Sequence, residues 1–541
     1  MSDKKQSDVK QPGWLCKVWL WVKRWWLPIA ILLITSTGLA CALSIPQQVF
    51  ETPREPANDK SAPVLLAQSN LRLAFLYITG GAIAVVGLIE TFRKNNNEKL
   101  KNDQDKEKND REHLRQVRAD RRERYTKAVE QLGDEKTPIR MGGVYTLVGL
   151  VDEWLEDESI EKYEDRLKEG QVIINNLCAY IRSPFTLTSY YDELSEDAPS
   201  LEGIYKDKKE EFYVDKAILD SETDVRLSII KEIHDRIQDP DKNTPGAWSD
   251  FEYDFSGSTF FYPIHLTKSY YKKPVNFSGA TYQGWAAFMG STYEKGVLFS
   301  APDSPSTYQG LADFSGSTYE GKAEFSSSTY QDKARFSGSI YREGANFSGS
   351  IYREGANFSG SIYQSEATFM SSTYQSGADF GNSIYLEEAD LSRSTYRGEA
   401  DFSGSIFYQE TYFGEDRYSN SSSCFTNHAP QFYDETNRKN TLFGSPNNDF
   451  TVENGRGYPI YRNLEGLPLG CKFLTSEQKE YLADKFREIE KINNKLREVK
   501  DPEENTKLLD TLESFEKELY EWQEEATTVK VAGTAPEEED N

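Results

Sequence analysis

Between Phe255 and Tyr418 the chain repeats itself every eleven residues. Residues 335–345 read RFSGSIYREGA, 346–356 NFSGSIYREGA and 357–367 NFSGSIYQSEA. Phenylalanine or leucine recurs at Phe255, Leu266, Phe277, Phe288 and Phe299. Past a four-residue insertion around Pro302 to Pro305 it returns at Phe314 and at every eleventh residue through Leu391 to Phe402 and Phe413. A second aromatic follows five residues later, from Phe260 and Tyr271 to Tyr396, Phe407 and Tyr418. One such unit cannot bury its own apolar face, so it must stack on copies of itself, and the chain must build a solenoid here.

Each unit is A-[D/N/E]-F-S-G followed by S-[T/I]-Y and three variable residues. Alternation places the alanine and the phenylalanine two residues later on one side and the polar residue between them on the other, as in a short strand with one buried face. Ser-Gly supplies the bend. The pattern resembles the pentapeptide-repeat family, whose unit reads A-[D/N]-[L/F]-x-x, over about fifteen double units. That resemblance implies a right-handed, four-sided β-helix. The chain departs from the family in using Phe and Tyr where Leu dominates, and in alternating five- and six-residue spacings. A coil of about twenty-two residues, or a bulge at alternate corners, absorbs the difference; a flatter two-sheet solenoid is the alternative. Strand stacking about 4.8 Å apart predicts columns of Phe and of Tyr. Because phenolic hydroxyls need partners, the Tyr columns are expected at the corners and not on the axis.

Ahead of the repeat lie two apolar runs. Residues 25–45 carry no charge over about twenty positions, and residues 71–92 hold a second uncharged run, each long enough for a ~30 Å hydrocarbon core. Residues 1–24 mix Trp14, Trp19 and Trp21 with Lys17, Lys23 and Arg24, an interfacial composition. Basic residues crowd before the first run and after the second (Arg93, Lys94, Lys99), while residues 46–70 hold few. The positive-inside rule then predicts a two-span cell-membrane protein with both termini cytoplasmic and residues 46–70 outside. Gly80 and Ala84 are expected against Ser36 and Ala40 as a small-residue packing seam. Leu39-Ala40-Cys41 hints at a processed leader instead, but Gly38 stands where that motif wants an aliphatic residue.

Residues 93–124 are almost wholly charged or amide and read as a helical stalk. Residues 125–240 read as an α-helical module. Gly133 ends one helix, Thr137-Pro138 begins the next, Val172 to Ile181 forms a third, and Ser221 to Asp224 is expected to open the last with a capping box. RYTKAVEQLGDEKTPIRMGGVYTLVGLVDE resembles the segment that joins membrane spans to pentapeptide repeats in many bacterial proteins, with Arg140, Gly142, Gly143 and Tyr145 at the matched positions. The β-helix is assigned to residues 251–418 and an irregular capping region to 419–474. A helical hairpin follows at 475–526, with seams Leu482, Phe486, Ile489, Leu496, Val499 and Leu508, Leu512, Phe515, Leu519, Trp522. It is expected to cap the last coil or, failing that, to bind a second copy. Residues 527–541 are an acidic tail. The fold class is thus a multidomain membrane protein: two transmembrane helices, a small all-α module, a right-handed β-helix and a C-terminal α-helical hairpin.

No catalytic, cofactor-binding or metal-ligating residues are expected, and no cofactor. Cys16, Cys41, Cys178, Cys424 and Cys471 form no CxxC pair, and His113, His234, His265 and His428 do not cluster. The Ser-rich turns lack a histidine base, and His234 reads as a surface residue. Asp313, Glu324, Asn346, Asn357, Asp379, Asp390 and Asp401, one before each Phe, are expected to form an exposed polar ladder. Net charge is −25, which disfavours direct nucleic-acid binding. The resemblance admits a DNA-mimic regulator that binds gyrase. The repeat, however, carries eighteen acidic against twelve basic residues over some 164 positions, far below the charge density of duplex DNA. The sequence favours a non-enzymatic scaffold whose expected partners are the bilayer and an unidentified protein, a second copy of the chain bound through the hairpin being one candidate.

Overall fold

The computed structural model describes residues 14–50, 62–238, 244–414, 422–453, 455–499 and 502–529. The basic residues before position 14, the side chains of residues 14–24, the centre of the first loop, Tyr418, Asp501 and the tail beyond 529 lie outside the described residues. The chain divides into two compact units, Met1–Asp120 and Arg121–Asn541.

The first unit holds α1 (Trp14–Val49) and the first part of α2 (Ala62–Leu132). Two helices are long and apolar enough to cross a membrane. Their close approach is at Gly38, where a Cβ would overlap Thr79, while Gly80 has open space around it. Ala42 is buried; Ser36 and Ala40 are exposed. The expected Gly80 seam is therefore corrected to Gly38, Ala42 and Thr79. At 100° per residue, positions 36 and 40 point about half a turn away from 38 and 42. Gln68 is buried and its Nε2 donates to the Phe50 carbonyl at 2.8 Å.

In the second unit α3 (Thr137–Leu155), α4 (Tyr163–Arg182), the single turn α5 (Tyr191–Leu194) and α6 (Lys209–Ile237) form the helical module. Three expectations need correction. Thr137 is not a cap: Lys136 occupies that position without a side-chain bond, and the Thr137 hydroxyl meets Ser221. The Ser221 capping box is absent because α6 begins twelve residues earlier. Its apolar stripe runs back through Leu219 to Phe212, both buried, so the helix is not interrupted. The third helix starts at Tyr163, not Val172, with Glu164 and Asp165 in its first turn, where the helix dipole favours acids.

The repeat forms a parallel β-solenoid with four sheets of eight, eight, seven and nine strands among the described residues. Consecutive coils are 22 residues apart: Ala345 pairs with Ala323 on one side and Ala367 on the other. The coil therefore has four sides, and the two-sheet alternative is excluded. The first face carries Ala323, Ala345 and Ala367; the second Tyr330 and Tyr352; the third Ala334 and Ala356; the fourth Tyr341 and Tyr363. Where Val297 pairs with Ala323 the register absorbs the insertion. A turn there is closed by reciprocal Ala301–Ser304 backbone bonds. The residue after most of the Phe-x steps adopts positive φ, +66° at Gly338 and Gly360, which is why glycine recurs there; Ser327, Asn382 and Arg393 tolerate it at other corners.

Four aromatic columns fill the interior. Phe347 stacks on Phe325 and Phe369 at 5.0 Å and meets the opposite column, Phe336 and Phe358, edge-on at 5.1 Å. Tyr341 approaches Phe347 edge-on at 5.8 Å. The Tyr rings are as buried as the Phe rings: Tyr341 and Tyr363 are 0% exposed. Their hydroxyls, from Tyr271 to Tyr396, make no hydrogen bond of normal geometry; the serine two residues earlier, Ser339 for Tyr341, is the polar group beside most of them. The expectation of wet corner columns is thus wrong. With a ring on all four sides, the interior is filled only if each Tyr turns inward, and burial of the ring together with its stacking offsets the loss of phenol hydration.

The core runs without a break from Ala128 in the helical module to Cys471. Trp248, Phe251 and Ile237, all fully buried, belong to it at the passage from the last helix of the module to the first strand. Past Phe413 the solenoid continues irregularly. Cys424–Phe425 joins the second face, Leu442–Phe443 and Lys472–Phe473 join the fourth, and Phe432 and Phe450 are buried with them.

Candidate interaction surface

The outside of a solenoid is decided by what stands in each column. The residues before each Phe do not form the exposed ladder expected of them. Asp313 is buried, and Glu324, Asn346, Asn357, Asp379, Asp390 and Asp401 are half-buried. Most of them fold back: Asp313, Asn346, Asn357, Asp379, Asp390 and Asp401 each accept from the backbone N–H two residues on, at 2.8–3.1 Å. They are turn caps, which is why Asn and Asp interchange. Burial, with Asp401 one coil away, raises the Asp379 carboxyl above its ordinary value.

The serines before the T/I-Y pair form internal ladders. The Ser339 N–H donates to Ser361 Oγ at 3.1 Å, and Ser361 Oγ donates to the Phe336 carbonyl at 3.2 Å. The same pattern recurs at Ser350 and Ser372. These hydroxyls serve the fold. Burial pushes the Tyr341 phenol well above its usual value, with Ser339 working the other way.

His234 is not a surface histidine: its Nε2 lies 2.8 Å from the Thr267 carbonyl, tying α6 to an early coil. Arg140 pairs with Glu222, which also accepts from Arg226 Nε at 2.7 Å. Arg226, 1% exposed, donates to the Ile181 and Ser183 carbonyls at 2.7 Å and lies over Phe261. Gly143 is needed where α3 passes the Ala128 carbonyl; Gly142 has open space and Tyr145 is exposed. Among the described residues no three of His, Cys, Asp and Glu come together to hold a metal ion.

The hairpin is the element the sequence misplaced. α7 (Ser476–Glu498) starts from a Thr475–Gln478 capping box, and α8 (Pro502–Thr527) returns beside it, Tyr481 stacking on Trp522 at 4.8 Å. The pair does not cap the last coil but lies along the fourth face. Lys479 Nζ donates to the Gly444 carbonyl at 2.6 Å, and Asn493 meets Arg342 four coils back. Fourteen helical residues rise about 21 Å, and four strand steps span about 19 Å, so helix and solenoid axis run together. The reason is a column read only at the 22-residue period. Ile340, Ile362, Ile384, Ile406 and Leu442 stand in register on the outer side of the fourth face. Ile384, Ile406 and Leu442 are buried with Leu482, Ile489, Leu512 and Leu519 of the hairpin. On the second face the same position holds Thr307, Thr329, Thr373 and Thr395, half-exposed, and Ile351, 38% exposed.

No known protein family matches the chain, and no curated protein or solved structure does either.

Proposed function

We propose that this chain is a membrane-anchored, non-enzymatic scaffold of the pentapeptide-repeat kind, holding its β-solenoid in the cytoplasm as a surface for another protein. The contrast between two faces of one solenoid carries the reading. The fourth face bears an isoleucine column and is covered by the chain's own hairpin. The second face repeats the same backbone with threonines and the exposed Ile351. A flat ladder of strands at fixed spacing suits an extended partner that reads one column at a time. The two apolar helices and the basic residues flanking them support the anchor and its orientation.

Site-specific photo-crosslinking in cells tests this. A crosslinker in place of Ile351 should capture a discrete protein, and one in place of the covered Ile384 should give only an internal link to the hairpin. Absence of any adduct at Ile351, Thr329 and Thr373 would reject the second face as the interaction surface. Capture of a DNA-processing enzyme would favour the DNA-mimic alternative.

A further inference from the structure

Just ahead of Lys472–Phe473, the last strand of the fourth face, the chain makes a tight loop. The Leu469 N–H donates to the Tyr461 carbonyl at 3.0 Å, and Arg462 pairs with Pro468. Asn463 closes the turn. Its N–H donates to the Leu467 carbonyl at 2.7 Å, its Oδ1 accepts from the Glu465 and Leu467 N–H groups at 2.9 and 3.1 Å, and its Nδ2 donates to the Cys471 carbonyl at 3.1 Å. Gly466, at φ +82°, supplies the left-handed step. Ile460, Leu467 and Cys471 are buried and join the loop to the core. The fold of the loop therefore needs no apolar side chain at its other positions. Yet Leu464 at the tip is fully exposed, and Tyr461, Leu469 and Tyr458 are 67%, 59% and 46% exposed. Tyr461 and Leu469 stand opposite each other and so share one side of the loop.

The charges beside these side chains narrow the choice of partner. Residues 455–474 hold three basic residues, Arg456, Arg462 and Lys472, against one acid, Glu465, a net of +2 in a chain of −25. Glu453 lies 3.7 Å from Arg456, and counting it leaves +1. Tyr433 sits beside Gly470, and residues 433–440 there add Arg438 and Lys439 against Asp434 and Glu435, with Lys439 also meeting Glu524 of α8. Charges farther off are screened over about 8–10 Å, so a surface that meets the loop meets its basic excess. Exposed Tyr and Leu among Arg and Lys is the composition of a segment that lies in a membrane interface. A stable protein complex buries about 800 Å² on each partner, more than four side chains of one short loop provide. A bilayer sets no such minimum, because each inserted side chain gains on its own.

We propose that this loop is a lipid-contact element: Leu464, Tyr461 and Leu469 enter the interfacial layer of a bilayer while Arg462 and Lys472 meet the phosphates of anionic headgroups. Three inserted side chains give a weak, reversible contact, one that orients the end of the solenoid at a surface without fastening it there. Glu465, the acid at the tip, opposes the contact and keeps it shallow. The contact requires neither a partner on the second face nor the two apolar helices, which belong to the other compact unit.

Full-length protein in nanodiscs of zwitterionic lipid tests this, with Cys16 and Cys41 replaced by serine and an apolar, environment-sensitive fluorophore on Leu464→Cys. Vesicles of phosphatidylglycerol and phosphatidylcholine that carry a nitroxide-labelled lipid should quench the emission, and labelled vesicles of phosphatidylcholine alone should quench it far less. The same fluorophore on Gln375→Cys, exposed on the solenoid, should not respond. Tyr461→Ser with Leu469→Ser should raise the lipid concentration needed by about tenfold or more. Arg462→Gln with Lys472→Gln should remove the preference for anionic lipid, and Glu465→Gln should strengthen the quenching. These side chains are exposed, so an unchanged melting temperature is the folding control. No quenching by anionic vesicles, equal quenching at Gln375→Cys, or a response that survives the loss of Tyr461 and Leu469 would each overturn the proposal. So would an emission shift at Leu464→Cys that grows with protein concentration and needs no vesicle, which would put a second copy on the loop. If a variant melts early, the comparison of labels at 464 and 375 decides alone.

Discussion

At the scale of single residues, the interior shows which groups carry the fold and which are tolerated by it. Phe347 touches rings above, below and on two further sides. Phe347→Ala should cost about 3–5 kcal/mol in denaturant unfolding, since neighbours stacked on both sides cannot collapse into the gap. Tyr352 sits in an equivalent stack, 4.9 Å from Tyr330 and Tyr374, but its hydroxyl makes no hydrogen bond of normal geometry, Ser350 being the hydroxyl beside it. Tyr352→Phe should therefore be neutral or stabilising, and a loss above about 1 kcal/mol would mean that the phenol is bonded. Asp379 gives a pH-dependent counterpart. Its raised carboxyl makes the folded state hold the proton more tightly than the unfolded chain, so stability falls as pH rises through the carboxylate range. Asp379→Asn keeps the acceptor for the Gly381 N–H. It should raise the melting temperature at pH 7 and leave it unchanged near pH 3, where Asp379 is already neutral. The inward Phe and Ala positions were legible in the sequence because burial alone dictates them. The Tyr positions were misjudged because the cost of one hydroxyl was weighed without the stacking that surrounds it.

At the scale of elements, the hairpin shows how a correct repeat can hide a second signal. Its two helices and their facing stripes follow from four-three spacing, and Leu482, Ile489, Leu512 and Leu519 are buried as that spacing requires. Its resting place was missed because an eleven-residue unit merges the second and fourth faces. Only at twenty-two residues do Ile340, Ile362, Ile384 and Ile406 separate from the threonine column. The same averaging hid the length of α6: a Ser-x-x-Asp looks like a helix start, yet Ser221 lies mid-helix because the apolar stripe continues on both sides of it. A matched pair of substitutions tests the hairpin's position. Ile406→Ala, under the root, should cost about 2–4 kcal/mol, whereas Ile351→Ala on the open face should cost under about 1 kcal/mol. Equal effects would mean that the fourth face is not covered in solution.

At the scale of the whole molecule, the order of elements in the chain is legible because each has its own period: uncharged runs, a charged stretch, helical spacing, then eleven. Orientation across a bilayer rests on a different property, the distribution of basic residues. Lys4, Lys5, Lys10, Lys17, Lys23 and Arg24 precede the first apolar run, and Arg93, Lys94, Lys99 and Lys101 follow the second; Arg54, Lys60 and Arg72 are the basic residues between them. The positive-inside rule expects ends of this kind on the cytoplasmic side. The native thiols cannot report on this, because Cys178, Cys424 and Cys471 are buried. With Cys16 and Cys41 replaced by serine, introduced cysteines can. Ser61→Cys should react with a membrane-impermeant maleimide in intact cells. Gln375→Cys, exposed on the solenoid, should react only after the membrane is opened. Reaction of Gln375→Cys from outside intact cells would place the solenoid on the other side and remove the cytoplasmic scaffold reading with it. Loss of the first forty residues from the mature mass would instead mark the first apolar run as a cleaved leader; residues 41–70 would then still face outside ahead of a single span, so the mass, and not the reaction of Ser61→Cys, separates the two topologies.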